Sequence, residues 1–404
     1  MLFLELLQYY ISISAEKGFL NVFANATTDS TNLTQNFISF DPQKDLIIQA
    51  NSDPAWLNAT FSLVALHHDL RTGRGLSPEC LYHRGEALRL INERLSTTSP
   101  TTISESTIGA VASLVNFDIT IGSTAHATMH MNGLQHILNL QGGLPKLHHN
   151  RTLQSLISWS DLLYSSACES APRFQFACHS TAPLSNTAVC VLDLEIYESH
   201  LSHSPGFNVK MRETVRILRF LSGKKDVVLL ASGKTDSLAI QTARAEFSNC
   251  VYLAEYRLLT LFEDVPENHE SRIMRKPWQL GVYLYVHLAL RELPGVLPVE
   301  QNLLKRLKGA LEASSDLFGI WTGNLKLLLW IVFVGAAASA DGRVERGFFV
   351  RLLGLLRVQI GIRSLVEFVD VLRSVLWFEA FYRPHAVALW GEVDIEVTRE
   401  EASV

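Results

Sequence analysis

Apolar residues recur three or four positions apart along almost the whole chain, which is the spacing of one face of an α-helix. No segment alternates polar and apolar residues for long enough to predict a strand of a half-buried sheet. The stretch after Ser77-Pro78 is an example, with apolar residues on one predicted helix face at Leu81, Leu88, Ile91 and Leu95. The pattern predicts an all-α, irregular multi-helix fold with about ten to thirteen helices.

Capping residues and glycines predict the helix ends in the first half of the chain. The Ser77 hydroxyl can accept from an early backbone N–H, and a second helix begins near Ser104 and breaks near Gly122. Gly142-Gly143 stops a third helix, because a left-handed residue can close its last turn, and a fourth helix ends before Pro172. The first of these three helices has one apolar side, and the other two carry apolar residues at helical spacing. In chain order the residues are Ile108, Val111, Ala112, Val115 and Ile119; Met129, Gly133, Leu134, Ile137 and Leu138; and Leu153, Leu156, Ile157 and Leu163.

The periodicity is lost between Pro172 and Thr187, which predicts a loop or a change of packing layer. Helical spacing then resumes, and no repeat of fixed period indicates a solenoid. The predicted helices of the second half are Val209 to Leu221, stopping at Gly223; Asp236 or Ser237 to Leu261; Trp278 to Glu292; Glu300 to Phe318; Asn324 to Ser339; Val344 to Val358; and Ser364 to Tyr382.

The most hydrophobic window is LLLWIVFVGAAASA, from Leu327 to Ala340, with Lys326 before it and Asp341 after it. Crossing a bilayer takes about 20 apolar residues, and this window is shorter. It therefore predicts a helix buried on all sides in a large core, and no membrane partner.

Composition narrows the class of protein further. The chain has 404 residues, of which 48% are hydrophobic and only 19% are charged, and this composition excludes a disordered chain. Its net charge of −5 does not favour binding to a polyanion. Its short basic stretches, predicted to be solvated helix faces or turns, are Arg272/Arg275/Lys276 and Lys305/Arg306/Lys308. The five cysteines lack C-x-x-C spacing, so neither a disulfide framework nor a structural zinc site is predicted.

Two patterns suggest metal or nucleotide binding, and both are incomplete. His126 and His130 would share a helix face near His136, His148 and His149, but Ala127 stands where a zincin helix needs glutamate. Gly233-Lys234-Thr235 resembles the end of a phosphate-binding loop, but its first glycine would fall at Val228.

Two isolated acids on apolar helices, Asp118 and Asp161, could be buried and perturbed. Capping or ion-paired structural roles are favoured for both, and no G-x-S-x-G elbow presents a nucleophile. We therefore predict no catalytic, cofactor-binding, metal-binding or DNA-binding residue, and no cofactor in this chain.

Three ordered segments carry a family resemblance. They are His-x-x-Gly-Leu followed by Gly-Gly (His130, Gly133, Leu134, Gly142 and Gly143), the Trp-x-Asp pair (Trp159 and Asp161), and Ala-Pro-Arg-Phe (Ala171 to Phe174). In this order they resemble the fungal-specific transcription factor domain, the regulatory domain that follows a zinc binuclear cluster in many fungal regulators. One departure is Gln141, where the family usually has an arginine.

The resemblance extends through the second half of the chain. The segment EYRLLTLFEDV, with Glu255 and Arg257, resembles the family's Glu-x-x-Arg helix with its arginine shifted, and the buried helix around Trp330 resembles its Trp-Gly-Ala helix. RGFFVRLL near Arg346 and VLWFEAFY near Trp377 resemble its closing helices. The size of the side chains at these family positions predicts structural roles for them. Gly133 would allow two helices to approach closely, and Trp159 and Trp330 would fill the core.

The resemblance implies a nuclear regulatory domain over residues 1–404 that controls RNA polymerase II transcription. The expected partners are the transcription machinery or a homologous regulator, with a homodimer and a small-molecule effector as further candidates. DNA would be reached only indirectly or through a zinc cluster missing from this chain. Met1 falls within LFLELLQYY, which looks like the first helix of the domain. The two interpretations are a lost upstream exon and a stand-alone derivative of the family.

Two alternatives remain open. One is a stand-alone scaffold that dimerises with a homologous factor and does not bind DNA. The other is an α-helical enzyme acting on a hydrophobic substrate, although the chain has no D-D-x-x-D magnesium motif.

Overall fold

The computed structural model describes residues 47–73, 75–97, 102–175, 209–231, 238–260, 269–291, 298–339 and 344–401. This part of the chain contains fifteen α-helices and no strand, and thirteen of the helices have seven residues or more. The predicted all-α fold and the number of helices are therefore confirmed. The predicted first helix in LFLELLQYY and the Gly233-Lys234-Thr235 segment lie outside the described residues.

The chain divides into two compact units, which we describe separately. Unit 1 consists of Met1–Thr181, Val228–Leu259 and Leu297–Val299. Its elements are α1 (Ile47–Asn51), α2 (Pro54–Arg71), α3 (Pro78–Thr97), α4 (Glu105–Thr120), α5 (Thr124–Leu140), a 3₁₀ turn (Leu144–Leu147), α6 (Arg151–Cys168), the end of α7 (Val209–Ala231) and nearly all of α8 (Leu238–Thr260).

Unit 2 consists of Ala182–Val227, Thr260–Val296 and Glu300–Val404. It contains most of α7 (Val209–Ala231), then α9 (His269–Tyr285), a π turn (Val286–Leu290), α10 (Pro298–Glu312), α11 (Leu317–Ile320), α12 (Leu325–Ala338), α13 (Val344–Ile360), α14 (Leu365–Val375) and α15 (Glu379–Glu401).

The predicted caps of unit 1 are present. Ser77 Oγ accepts from the backbone N–H of Cys80 at 3.2 Å, and Ser104 Oγ accepts from that of Thr107 at 3.3 Å. Such caps satisfy N–H groups that have no partner inside the helix. These local signals fix the beginnings of α3 and α4.

Helix α4 is the centre of unit 1. Every residue from Thr107 to Thr120 is buried, because α2, α5 and α6 all pack around it. The residues predicted on one side of this helix, Ile108, Val111, Ala112, Val115 and Ile119, are all buried, and so are the residues between them. At Gly109 a Cβ would lie only 2.5 Å from Trp56 Cε2, so the absence of a side chain allows α2 and α4 to approach closely.

The inward face of helix α3 shares only Ile91 with the predicted apolar stripe. Its buried residues are Cys80, His83, Ala87 and Ile91, whereas Leu81 is 51% exposed and Leu95 is 42% exposed. Cys80 belongs to a core cluster with Ala65, Leu66 and Phe117. Two of these four buried residues, Cys80 and Ala87, have small side chains, so the leucine stripe does not mark the core side.

Helix α12 is the centre of unit 2, where α9, α13, α14 and α15 all pack against it. Its residues from Leu327 to Ala336 are all buried, which confirms the predicted helix enclosed on all sides. A Cβ on Gly335 would lie 2.5 Å from Phe349 Cε1, so this glycine lets α13 pack closely. No helix in the described part of the chain is long and apolar enough to span a bilayer.

Several predicted helix ends of unit 2 are wrong. Gly223 does not stop α7, which continues to Ala231, because one glycine inside a helix costs only about 1 kcal/mol. α9 begins at His269, nine residues before the predicted Trp278, and contains Pro277. The predicted Glu300 to Phe318 helix is split after Glu312 and the predicted Ser364 to Tyr382 helix is split after Val375.

Candidate functional site

Asp118 is the most enclosed charged group of unit 1. Its Oδ1 lies 2.9 Å from Arg84 Nη2 of α3, and its Oδ2 lies 2.8 Å from His130 Nδ1 of α5. The carboxylate is fully buried, whereas the side chains of Arg84 and His130 are partly exposed. The Arg84 guanidinium also lies 5.2 Å from the centre of the Phe117 ring. A buried carboxylate is costly unless it is paired, so both partners stabilise it. The three side chains join three helices.

Asp161 of α6 holds the chain that follows its own helix. Its two carboxylate oxygens accept the backbone N–H groups of Arg173 at 3.0 Å and Phe174 at 2.8 Å. Burial raises the pKa of Asp161 to about 6, and these two hydrogen bonds oppose that rise. The Trp-x-Asp pair and the Ala-Pro-Arg-Phe segment, separate in sequence, therefore form one contact.

The Arg173 side chain extends this contact to α5. Nη1 donates to Asn132 Oδ1 at 2.6 Å and to Gln135 Oε1 at 3.1 Å, and Nη2 donates to Tyr164 Oη at 3.0 Å. The guanidinium also lies 4.8 Å from the centre of the Tyr164 ring, within the range of a cation–π contact. We call these two groups of side chains, Arg84–Asp118–His130 and Asp161–Tyr164–Arg173, together the motif cluster. Both carboxylates of the motif cluster already have hydrogen-bond or ion-pair partners within the protein. The role of the cluster is therefore structural, in that it connects helices α3 to α6.

Unit 2 contains a second buried polar group at the π turn. Lys225 Nζ donates to the carbonyl oxygens of Ala289 at 2.5 Å and Leu290 at 3.0 Å, and it lies 5.0 Å from the centre of the Phe378 ring. A π turn leaves carbonyls out of the regular helical pattern, and the buried ammonium satisfies two of them. Nearby, His287 Nδ1 lies 3.2 Å from Glu300 Oε1, and both side chains are buried.

Sequence reasoning missed this group. Lys225 lies in the segment SGKKD, whose composition is typical of a solvated turn, and the π turn has no distinct sequence signature. Aromatic side chains pack next to the π turn, where Tyr285 stacks on Tyr382 with ring centres 5.5 Å apart. Tyr285 Oη also lies 2.5 Å from Ser222 Oγ.

Comparison with known protein families gives a match over residues 6–375 to the fungal specific transcription factor domain. The chain belongs to this family. The match contains the motif cluster and the second-half segments around Trp330 and Arg346, as the sequence resemblance predicted. Searches of curated proteins and of solved structures returned no significant match.

Gln141 is the position at which this fungal transcription factor domain departs from the arginine usual in its family. Gln141 lies at the C-terminal end of α5, and its Nε2 donates to the carbonyl of Ile103 at 2.7 Å. The helix still ends as predicted, since Gly142 and Gly143 have φ angles of 93° and 84° and the Gly143 N–H donates to Leu138 O at 2.8 Å. A neutral side chain therefore contacts the backbone at this position.

The other family positions give two confirmed predictions and one that is wrong. Trp159 and Trp330 are buried as predicted, and Trp330 Nε1 donates to Leu376 O at 2.6 Å. Gly133 is not at a close helix contact, since an added Cβ there would meet no atom within 4 Å. Close packing occurs at Gly109 and Gly335 instead, each flanked by apolar residues in the buried part of its helix.

Three histidines of the predicted group, His126, His130 and His149, have hydrogen-bond or ion-pair partners on different residues. His130 contacts Asp118, His126 Nδ1 lies 2.8 Å from Ser123 Oγ, and His149 Nε2 lies 2.6 Å from Glu105 Oε1. In the described ranges no group of three or more His, Cys, Asp or Glu side chains is arranged to hold a metal ion. Asp118 and Asp161 have the partnered and capping roles that were predicted for them.

Proposed function

We propose that residues 1–404 form the regulatory domain of a fungal transcription factor, of the middle homology type, that controls RNA polymerase II transcription in the nucleus. The family match over residues 6–375 carries this proposal. We propose a non-enzymatic role without a cofactor, in which the domain acts through the transcription machinery, a homologous regulator or a small-molecule effector. DNA is reached indirectly or through a zinc cluster outside these residues.

The electrostatics of the chain support indirect contact with DNA. Proteins that grip duplex DNA neutralise phosphates with clustered lysine and arginine, whereas this chain has a net charge of −5. In the described structure, Arg84 forms an ion pair with a carboxylate of the protein, and Arg173 donates to amide and hydroxyl oxygens of the protein. We expect the purified chain to give no sequence-specific shift of duplex DNA at physiological salt, and a nanomolar shift would contradict this part of the proposal.

The transcriptional role is tested by rapid depletion of the protein in the cell that encodes it. We expect the synthesis of a defined set of RNA polymerase II transcripts to change before other RNA classes are affected. Measurement of nascent RNA within minutes of depletion separates this direct effect from later ones. Unchanged nascent transcription after complete depletion, in conditions where the protein is expressed, would contradict the proposal.

We propose a dimerising scaffold as the second candidate, because α3 carries an unused leucine stripe. Leu81, Leu88 and Leu95 are seven residues apart, as in a coiled-coil seam, and the first and last are exposed. A second copy of α3, or the same helix of a homologous regulator, would cover them. Sedimentation of the purified chain should then show a dimer that Leu81→Asp with Leu95→Asp dissociates, and a strict monomer would exclude self-association.

A further inference from the structure

The outer face of α13 has the spacing of a helix-packing seam. Val344, Phe348, Arg351, Leu355 and Val358 are separated by steps of four, three, four and three residues. Val344 is 77% exposed, Leu355 is 47% exposed and Val358 is 66% exposed. In coiled coils such steps place side chains in one line against a partner helix. We call these five residues the outer seam.

The outer seam is not needed to attach α13 to unit 2. The opposite face of the helix is already buried through Phe349, Val350, Leu352, Leu353 and Leu356. Two arginines on the sides of α13 reach α15, where Arg346 Nη2 lies 2.5 Å from Glu392 Oε1 and Arg357 contacts Asp394. α13 is thus held by its inner face and by two ion pairs, which leaves an apolar line available for a partner.

Charge decides which helix can occupy the seam. Arg351 is its central residue, is exposed, and makes no hydrogen bond or ion pair with any described residue. If a second copy paired with the same seam, in either direction, the two Arg351 side chains would meet, and like charges at the centre of an interface are unfavourable. The seam therefore disfavours its own copy and favours a helix with a carboxylate at its centre.

Two further basic side chains lie beside the seam or just after it. Lys308 Nζ lies 5.5 Å from the centre of the Phe348 ring, and its ion pair with Glu312 is long, at 3.7 Å. Arg363, which follows α13, is exposed and its side chain has no partner in the described residues, while its backbone N–H donates to Glu367 Oε2 at 2.7 Å. The acid within α13 is Glu345, next to Val344. An acidic helix would therefore be complementary to the seam at Arg351 and Lys308 and towards its C-terminal end.

We propose that the outer seam binds an amphipathic acidic helix of a partner protein, with a glutamate or aspartate placed against Arg351. The partner's apolar residues would cover Val344, Leu355 and Val358, and the carboxylate would fix the register. This inference rests on the proposed function in that it supplies one surface for the protein contacts of the regulatory domain.

The test uses the full 404-residue chain and two synthetic helical peptides about three heptads long. Both peptides carry leucine at the seam-facing positions and are otherwise glutamate-rich. One has glutamate at the central seam position and the other has lysine there. Fluorescence anisotropy should show about fivefold tighter binding of the glutamate peptide. Arg351→Glu should reverse the preference.

Leu355→Asp should weaken binding of the glutamate peptide about tenfold or more, because it places a charge in the apolar line. Val387→Asp, at an exposed valine of α15, is the matched control and should leave binding unchanged. Circular dichroism melting of each variant confirms that it is folded. Failure to bind the glutamate peptide, equal binding of both peptides, or an unchanged preference in Arg351→Glu would overturn the proposal.

Two further outcomes separate this proposal from others. Self-association of the wild-type chain that Leu355→Asp abolishes would show that a second copy occupies the seam, which overturns the acidic partner. A reversed peptide preference together with unchanged nascent transcription after depletion would support the seam and contradict the proposed transcriptional role. The binding assay and the depletion assay can therefore fail independently.

Discussion

The carboxylate of Asp161 accepts the backbone N–H of Phe174 at 2.8 Å, which connects the middle of α6 to the segment that leaves it. We expect Asp161→Ala to lower the free energy of unfolding by about 1–3 kcal/mol, because the N–H groups of Arg173 and Phe174 lose their acceptor. Urea unfolding measures this change, and amide exchange at both residues should become faster. The exposed Asp370→Ala serves as control and should stay within about 0.5 kcal/mol.

The same residue predicts a dependence on pH. The pKa of Asp161 is raised to about 6 by burial, above the value of about 3.9 for an unfolded chain. The folded state therefore holds the proton more tightly, so this contribution to stability is complete below about pH 4 and is lost as the pH rises through about 6. We expect a loss of up to about 3 kcal/mol across this range.

Asp161→Asn should remove this part of the pH dependence. Urea unfolding of the wild-type chain and the variant at a series of pH values between about 4 and 7 measures the difference. Identical pH profiles for the two proteins would contradict the assignment to Asp161.

Two arginines of α3 provide a matched comparison of ion pairs. Arg84 pairs with the buried Asp118, whereas Arg89 pairs with Glu86 and Glu93 on the exposed surface of the same helix. We expect Arg84→Ala to destabilise the protein by about 3 kcal/mol, because it removes a partner of a buried charge. Arg89→Ala should cost less than about 1 kcal/mol. Equal costs in urea unfolding would show that Asp118 does not depend on Arg84.

Two glycines in neighbouring helices of unit 1 should respond in opposite directions. Gly109→Ala places a Cβ within 2.5 Å of Trp56 Cε2 and should cost about 1–3 kcal/mol through displacement of the indole. Gly133→Ala meets no atom within 4 Å and should stabilise the protein by about 0.5–1 kcal/mol, as expected for alanine inside a helix. Thermal unfolding of both variants measures the signs, and destabilisation by Gly133→Ala would contradict the open geometry.

Local features were predictable from the sequence because their causes are local. Ser77, Ser104 and the Gly142-Gly143 pair each act on backbone groups within one or two turns, and the structure confirms their caps and the helix stop. The enclosed α12 was predictable because its apolar run has no polar side to expose.

Features that depend on distant partners were not predictable in the same way. The inner face of α3 is set by its neighbours in unit 1, which accept Cys80 and Ala87 and leave Leu81 exposed. The break after Val375 places Leu376 where its carbonyl accepts from Trp330 Nε1, a contact between residues 46 positions apart. Lys225 is buried because carbonyls more than 60 residues away require a donor.

The family resemblance located His130, Asp161 and Arg173 of the motif cluster without giving their geometry. The sequence motifs contained Asp161 and Arg173, yet nothing in their spacing indicated that the Asp161 carboxylate would hold the Arg173 backbone. Asp118 was expected to have a partner, but Arg84 was not recognised as that partner, because the two are 34 positions apart. Such pairings arise from helix packing and require the three-dimensional structure.

The central claim, that this domain regulates transcription, is tested most directly by attaching residues 1–404 to a DNA-binding module of known target site. Transcription of a reporter carrying that site is measured against the DNA-binding module alone, with protein levels matched. We predict that the attached domain changes reporter transcription and that Arg84→Ala with Asp161→Ala, which loosens unit 1, abolishes the change. Reporter transcription equal to that of the module alone, with the domain folded and present in the nucleus, would contradict the account.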